Sequence, residues 1–122
     1  MTHKHTLHQS FGYAFAGIIH AVRENRNLRI HFIIAIAVFV LSIYLKVAYQ
    51  DLAILIVLIV LVIAAEMINT SLEEMTDLIT SEHRQEAKVA KDVAAGMVLV
   101  ASIGAALVGA LILGPYVLPS FI

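Results

Sequence analysis

Five polar side chains recur along one stretch of the sequence at the spacing of a single helix face. At about 100° per residue, all five point within about 60° of the direction of the first one. They are Glu66, Asn69, Thr70, Glu73 and Asp77. Apolar side chains occupy the opposite arc, so the predicted helix has one acidic, polar face and one apolar face.

The first carboxylate of this polar face is expected to lie deep in a hydrophobic environment. Fourteen consecutive apolar residues, 52–65, precede Glu66. A carboxylate that faces lipid costs about 3 kcal/mol on insertion scales, so Glu66 should face protein, water or a cation. Because neighbouring carboxylates repel one another unless a divalent cation neutralises them, the pattern favours Glu66 as a deep base with shallower carboxylates holding Mg²⁺. A solvated helix end would explain Glu74, Asp77 and Glu82, but it does not explain Glu66.

Basic residues beside an aspartate form a second candidate group. Lys88, Lys91 and Asp92 lie on one face of the next predicted helix, at positions i, i+3 and i+4. These lysines could meet phosphate groups as point charges, although anchoring at a membrane surface explains them as well. The six histidines form no metal pattern, because those of the N-terminal tail are expected to be solvated and the others lack a ligand partner at suitable spacing.

The polar residues described above lie on or beside helices that are predicted to cross a membrane. The chain has 122 residues, of which 61% are hydrophobic and 14% charged, too few charges to cover a soluble globule. A spanning helix needs about 20 apolar residues. The apolar stretches predict an all-α membrane protein with three transmembrane helices over 29–49, 51–79 and 89–113, the first two joined by a tight hairpin. Pro115 and Pro119 are expected to end the third helix.

A short amphipathic segment precedes the first span. Apolar residues recur there at helical spacing, which predicts a surface helix over 10–24 with Ser10 as its N-cap, after a flexible tail of residues 1–9. The helix is too short to span and should lie along the interface, either as a lid over a lipid-accessible site or as a plain anchor. The length of the chain leaves room for a single domain, residues 1–122.

The distribution of charge predicts orientation and excludes some partners. Of the eight Lys and Arg residues, only Lys46 lies near the first hairpin, so the positive-inside rule places the N-terminus in the cytoplasm. A net charge of −1 excludes nucleic acid as a partner, and the absence of cysteine excludes a thiolate metal site. Small residues at Ala101, Ala105 and Gly109 predict close helix packing. Since three helices do not readily enclose the acidic face, a homo-oligomer is expected.

Two motifs and their flanks resemble those of a known membrane enzyme family. The segment Glu66–Asp77 resembles the E-x-x-N-[ST]-x-[IL]-E-x-x-x-D signature of the bacterial integral-membrane diacylglycerol kinase/undecaprenol kinase family. The segment Ala90–Gly96 resembles its A-K-D-x-[AG]-[AS]-[AG] segment. Phe11–Gly17 and the pair Arg26-Asn27 also fit, so the resemblance covers nearly the whole chain from Phe11 to Leu113.

This resemblance implies the ATP-dependent phosphorylation of a lipid hydroxyl by a homotrimer that uses Mg²⁺, in the bacterial cytoplasmic membrane. Glu66 would be the general base that takes the proton from the lipid alcohol. Asn69 would orient it, and Glu73 would hold the metal bound to ATP. The positions that match nucleotide contacts of the family are Tyr13, Glu73, Asp77, Glu82, His83, Arg84, Lys91 and Asp92.

One position departs from the family's pattern. Family members usually place a metal-binding Glu immediately before the Arg-Asn pair, where this chain has Asn25 and the acid is Glu24. A neutral amide binds Mg²⁺ less well than a carboxylate. Either Glu24 takes the metal after a small shift of the helix end, or the contact falls to Asn25 and is weaker.

The resemblance also bears on the lipid. The A-K-D-x-A-A-G form of Ala90–Gly96 is found chiefly among undecaprenol kinases, so undecaprenol is the expected lipid and diacylglycerol the alternative. A proton- or cation-coupled transport subunit would also carry carboxylates in the membrane, but such sites lie near the midplane at broken helices. A structural role as a membrane adaptor would not explain why a carboxylate, Glu66, lies deep in an apolar helix.

Overall fold

The computed structural model describes residues 4–118 as four consecutive helices. They are α1 (Leu7–Glu24), α2 (Arg26–Tyr44), α3 (Tyr49–Ile79) and α4 (Gln85–Val117). The last three are each long and apolar enough to cross a membrane, and no β-strand occurs between residues 4 and 118. The expected all-α fold, with three spans after a shorter N-terminal helix, is confirmed.

The first helix begins earlier than the sequence predicted. The Thr6 hydroxyl accepts a hydrogen bond from the Gln9 N–H (3.2 Å), and the Gln9 side-chain oxygen accepts one from the Thr6 N–H (2.9 Å). This capping box satisfies two backbone donors that would otherwise lack partners. The prediction of Ser10 as the N-cap was therefore wrong. The helix also takes in three residues of the tail predicted over 1–9, of which 1–3 lie outside the described range.

A single extended residue separates α1 from α2. Asn25 has φ −112° and ψ 107°, and its side-chain oxygen accepts a hydrogen bond from the Leu28 N–H (3.2 Å), which makes it the N-cap of α2. The Arg29 guanidinium donates to the carbonyls of Val22 (2.9 Å) and Arg23 (2.7 Å). These carbonyls lie in the last turn of α1, where carbonyl groups lack helical partners. Hydrogen bonds to the end of α1 and to the start of α2 therefore stabilise the corner between them.

A four-residue turn, residues 45–48, forms the tight hairpin between α2 and α3 that the sequence predicted. Lys46 has φ 54°, a left-handed conformation that ends α2 and lets the chain reverse. The Tyr116 hydroxyl of α4 donates to Asp51 (2.7 Å) and accepts from the Ala48 N–H (3.1 Å). The end of α4 is thereby joined to the hairpin.

The span limits differ from the prediction by a few residues. Because Lys46 breaks the helix, α2 covers Arg26–Tyr44 in place of 29–49, whereas α3 covers Tyr49–Ile79 in place of 51–79.

The last span, α4, is longer than predicted at both ends. It begins before residue 89 and continues through Pro115 to Val117. The expectation that Pro115 ends this helix was wrong, because the helix continues for two residues beyond it. Pro119 lies outside the described residues.

The central element of the bundle is α3, which packs chiefly against α4 and next against α2, while α1 lies across α2 and α3 at one end. We call that end, with the loop of residues 80–84, the polar end. The apolar core is small, and its buried residues are Ala21, Leu28, Leu55, Val62, Ala65, Ala94 and Val98. Many large apolar side chains on the outer faces are exposed, as expected of helices that face lipid or other subunits. Three of the four buried polar residues belong to the polar face of α3: Glu66, Asn69 and Thr70.

Candidate active site at the polar end

Glu66 is the only charged residue that is buried in the range 4–118, with 2% of its surface exposed. One carboxylate oxygen accepts a hydrogen bond from the Asn25 amide (3.0 Å). The other lies 3.5 Å from Nε2 of His31. A carboxylate removed from water is stable only with such partners. The structure thus places the sequence-predicted base between the α1–α2 corner and the first turns of α2.

A closed ring of hydrogen bonds ties the corner to α3. Nδ2 of Asn25 donates both to Glu66 and to the Thr70 hydroxyl (2.7 Å). The Thr70 hydroxyl in turn donates to the Glu66 carbonyl (3.0 Å). Since the Asn25 oxygen already caps Leu28, both amide N–H groups and the amide oxygen are engaged.

Asn69 offers an unused acceptor beside this ring. Its amide donates to Glu73 (3.2 Å), while its Oδ1 is buried and has no partner within the described residues. A buried carbonyl oxygen without a donor marks a place for a hydroxyl or a water molecule. Within residues 4–118, Asn69 thus has a free hydrogen-bond acceptor one turn from Glu66.

An acidic cavity of about 240 Å³ opens at the polar end, next to Thr70. We define it by its lining residues, which are Glu24, Asn25, Arg26, Asn27, Thr70, Glu73, Glu74 and Asp77. Four of these residues carry carboxylates, so the donor set suits a hard cation. No three His, Asp or Glu side chains within residues 4–118 are close enough to hold a metal by themselves. A cation here would need phosphate oxygens or water to complete its ligands, which is the usual manner of Mg²⁺.

A polar cleft of about 470 Å³ lies beside the acidic cavity, between the end of α3 and the start of α4. It brings together six of the residues that the sequence assigned to the nucleotide: Asp77, Glu82, His83, Arg84, Lys91 and Asp92. Ion pairs join Lys91 to Asp77 (2.5 Å) and Lys88 to Asp92 (2.6 Å). Asp77 lines both spaces, so the polar cleft and the acidic cavity are adjacent.

Tyr13 is the one sequence-assigned nucleotide residue that lines neither space. Its side chain on α1 is 60% exposed, and its ring meets the His5 ring edge-on at a centroid distance of 5.1 Å. Glu73 lines the acidic cavity and not the polar cleft.

An apolar groove of about 430 Å³ runs between the three spans. Its walls come from residues 31–38 of α2, 55–63 of α3 and 102–113 of α4. His31 lines this groove and also lies 3.5 Å from Glu66, so one side chain connects the groove wall with the buried carboxylate. The Ser102 hydroxyl, also in the groove wall, is buried without a partner in the described residues.

Two histidines at this end of the molecule make contacts that the sequence did not predict. His31 approaches Glu66, and His20 of α1 forms a 2.7 Å hydrogen bond with Glu74 of α3. That hydrogen bond, together with the charges of Glu74 and Glu24, holds the pKa of His20 above its ordinary value. Both contacts join different helices, so no spacing within one helix could have revealed them.

Comparison with known proteins finds relatives of this chain. The family model described as prokaryotic diacylglycerol kinase matches residues 12–113. A diacylglycerol kinase of Synechocystis sp. is 41% identical over 107 residues, which cover 87% of this chain and 61% of that protein. An undecaprenol kinase of Bacillus subtilis is 36% identical over 107 residues, which cover 88% of this chain and 87% of that protein. The chain thus spans less than two thirds of the length of the Synechocystis relative.

The family match includes α2 and α3 in full and most of α1 and α4. It therefore contains the polar face of α3, the acidic cavity and the polar cleft. With a match of this extent, and with both relatives above 30% identity, the chain belongs to the prokaryotic diacylglycerol kinase family.

Proposed function

We propose that this protein transfers the terminal phosphate of ATP to the hydroxyl of a membrane lipid, in a reaction that requires Mg²⁺, and that the lipid is undecaprenol. The observation that carries this proposal is the position of Glu66. This buried carboxylate adjoins an apolar groove through His31 and the acidic cavity through Thr70 and Asn25.

In the proposed reaction, Glu66 accepts the proton of the lipid hydroxyl, and Asn69 orients that hydroxyl. The proton of the lipid hydroxyl passes to Glu66 as the lipid oxygen bonds to the terminal phosphorus of ATP and the bond to ADP breaks. General-base catalysis of this kind contributes about 10²- to 10⁴-fold. The free Oδ1 of Asn69 would accept a hydrogen bond from the incoming hydroxyl and orient it. Most of the remaining rate enhancement in phosphoryl transfer comes from positioning and charge neutralisation.

The cation and the nucleotide are assigned to the two polar spaces. Glu73 and Glu24, both in the acidic cavity, would hold Mg²⁺, which neutralises phosphate charge when it is bound. Lys91, Arg84 and His83 supply the cationic or hydrogen-bonding side of the neighbouring polar cleft. Asp77 stands where the two spaces meet, and this agrees with a metal–triphosphate unit that crosses from one to the other.

The apolar groove supports undecaprenol as the lipid. Its lining is apolar apart from His31 and Ser102. An isoprenoid alcohol is hydrocarbon directly beyond its hydroxyl-bearing carbon, whereas diacylglycerol carries two ester groups beside its hydroxyl, which need polar partners when buried. Diacylglycerol remains the second candidate, because the Synechocystis relative bears that name at similar identity.

A transport subunit is not supported by the course of α3. The helix runs without interruption from Tyr49 to Ile79 and carries Glu66 in an unbroken segment. Ion-coupled transporters place such carboxylates at discontinuous helices near the midplane.

The assembly and orientation belong to the same proposal. We infer a homotrimer in the bacterial cytoplasmic membrane with the polar end in the cytoplasm, where ATP is found. The large apolar side chains exposed on the outer faces of the spans support contact between subunits.

The experiment is a lipid panel. Purified protein in detergent micelles receives Mg-ATP labelled in the terminal phosphate, together with undecaprenol, diacylglycerol or a long-chain alkanol. We expect label in the lipid phase, with undecaprenol giving the highest kcat/KM. A preference for diacylglycerol would change the lipid assignment alone. Label that stays in the aqueous phase with every lipid would refute the kinase assignment.

A further inference from the structure

Asn25 occupies the corner between α1 and α2, where one residue serves several elements at once. Its backbone is extended, its N–H bonds to the Ala21 carbonyl (2.9 Å) at the end of α1, and its side-chain oxygen caps α2 through the Leu28 N–H. Its amide nitrogen faces the polar face of α3. The position of this one amide is therefore set by both helices that meet at the corner.

The amide nitrogen makes two hydrogen bonds that converge on the base. One goes directly to the Glu66 carboxylate (3.0 Å), and the other goes to the Thr70 hydroxyl (2.7 Å), which itself donates to the Glu66 carbonyl. The second carboxylate oxygen of Glu66 has no hydrogen bond, although His31 lies 3.5 Å away. One oxygen is thus held by the Asn25 amide, and the other faces His31 without a hydrogen bond.

We propose that Asn25 is a positioning residue that aims the Glu66 carboxylate at the lipid hydroxyl, and that it does not ligate the metal. This proposal rests on the kinase function proposed above. A base must be held within hydrogen-bond reach of the proton it removes, and misplacement by about 1 Å can reduce the rate by about 100-fold. At 2% exposure Glu66 has no bulk water to replace a lost donor.

The chemistry of the Asn25 amide favours a role in positioning Glu66 over a role in binding the metal. An N–H donor is attracted to a carboxylate and cannot bind a cation, and the Asn25 oxygen is already engaged by Leu28. A carboxylate at this position would place a second negative charge beside Glu66 and would need a cation between the two. A neutral amide adds no negative charge beside Glu66, and it leaves the metal to Glu24 and Glu73 in the acidic cavity.

Two substitutions separate the possible roles of this side chain. Asn25→Asp keeps a side-chain oxygen that can cap α2, but it replaces the N–H donor by an acceptor. Asn25→Ser also keeps a capping oxygen, carries no charge and is too short to reach Glu66. Gln50→Glu is the matched control, because it makes the same amide-to-acid change at an exposed position near the hairpin. Circular dichroism and gel filtration in detergent establish that each variant is folded.

In the lipid assay we expect both Asn25 variants to lose about 10- to 100-fold in kcat. The KM for ATP and the Mg²⁺ concentration at half-maximal rate should stay within twofold of the wild type, and Gln50→Glu should match the wild type. If Asn25→Asp does not fold, Asn25→Ser alone gives the answer.

Other results would overturn the proposal. If both folded variants keep the wild-type kcat, the side chain is only a helix cap. If Asn25→Asp keeps its kcat and needs less Mg²⁺, the position is a metal site. A wild-type protein that phosphorylates no lipid would overturn the proposed function itself, and this inference with it, so the two failures are distinguishable.

Discussion

At the scale of single residues, the carboxylates that line the acidic cavity differ in their hydrogen-bond and ion-pair partners. Glu73 accepts a hydrogen bond from Asn69 (3.2 Å), which gives it a defined position. Glu74 is paired with His20 and Asp77 with Lys91, so both already have a cationic or donor partner. Glu73 and Glu24 are therefore the carboxylates of this cavity best placed to serve a cation.

Removing one of these carboxylates should weaken the response to Mg²⁺. We expect Glu73→Gln to raise the Mg²⁺ concentration at half-maximal rate, with partial rescue by excess metal, because one charged ligand is lost. Glu24→Gln should behave in the same direction. A Mg²⁺ titration of the lipid-kinase rate measures both effects. Glu86→Gln, an exposed acid in the first turn of α4, is the control, and curves that coincide with it would remove Glu73 and Glu24 from the metal site.

The residues that could be predicted from the sequence are those related by local spacing. The helical period alone placed Glu66, Asn69 and Thr70 on one face, and all three are buried in the structure. The hydrogen bond from Asn25 to Glu66 joins residues that are 41 positions apart. Its existence depends on how sharply the chain turns at the corner and on the register between helices, and neither quantity is encoded in a periodic pattern. The same reason explains why His31 was missed.

At the scale of elements, α1 is attached to the bundle by a contact that depends on protonation. Nε2 of His20 lies 2.7 Å from the Glu74 carboxylate, and this hydrogen bond raises the pKa of His20. Both side chains are more than half exposed, so the contact is open to solvent. The protonated form of His20 is favoured while α1 is docked on α3. The contact is therefore complete below the ordinary histidine pKa of about 6.5 and is lost as the pH rises through the raised pKa.

We therefore expect α1 to loosen from α3 as the pH rises above neutrality. Hydrogen exchange of the α1 amides, corrected for the intrinsic effect of pH, should show less protection on the alkaline side. His20→Gln cannot titrate and should remove this pH dependence. If the wild type and His20→Gln lose protection in parallel, the contact does not control the docking of α1.

The number and order of the helices could be predicted from the sequence, but their exact ends could not. The number and order of the helices followed from apolar length and amphipathic spacing. The start of α1 did not, because Thr6 and Ser10 are both acceptable caps and only the reciprocal bond with Gln9 decides between them. The end of α4 was misjudged because proline disfavours the continuation of a helix, yet α4 extends two residues past Pro115 to Val117.

At the scale of the whole molecule, two spaces of different polarity are connected to the buried Glu66 through its neighbours, and a third space adjoins one of them. The apolar groove reaches Glu66 through His31, and the acidic cavity reaches it through Asn25 and Thr70. The polar cleft joins the acidic cavity at Asp77. In the proposed reaction, this order would bring a lipid from the membrane side and a nucleotide from the polar side towards Glu66. The sequence could predict the acidic face and its neighbouring basic residues, but the groove arises only from the packing of three helices.

The most direct test of this account is phosphate transfer by the Glu66→Gln variant. Glutamine keeps the size of the side chain but cannot take up the proton of the lipid hydroxyl. With labelled Mg-ATP and undecaprenol, we expect the variant to lose about 10²- to 10⁴-fold in kcat, while its oligomeric state and its affinity for ATP match those of the wild type. A folded Glu66→Gln protein that kept most of its turnover would contradict the assignment of Glu66 as the base.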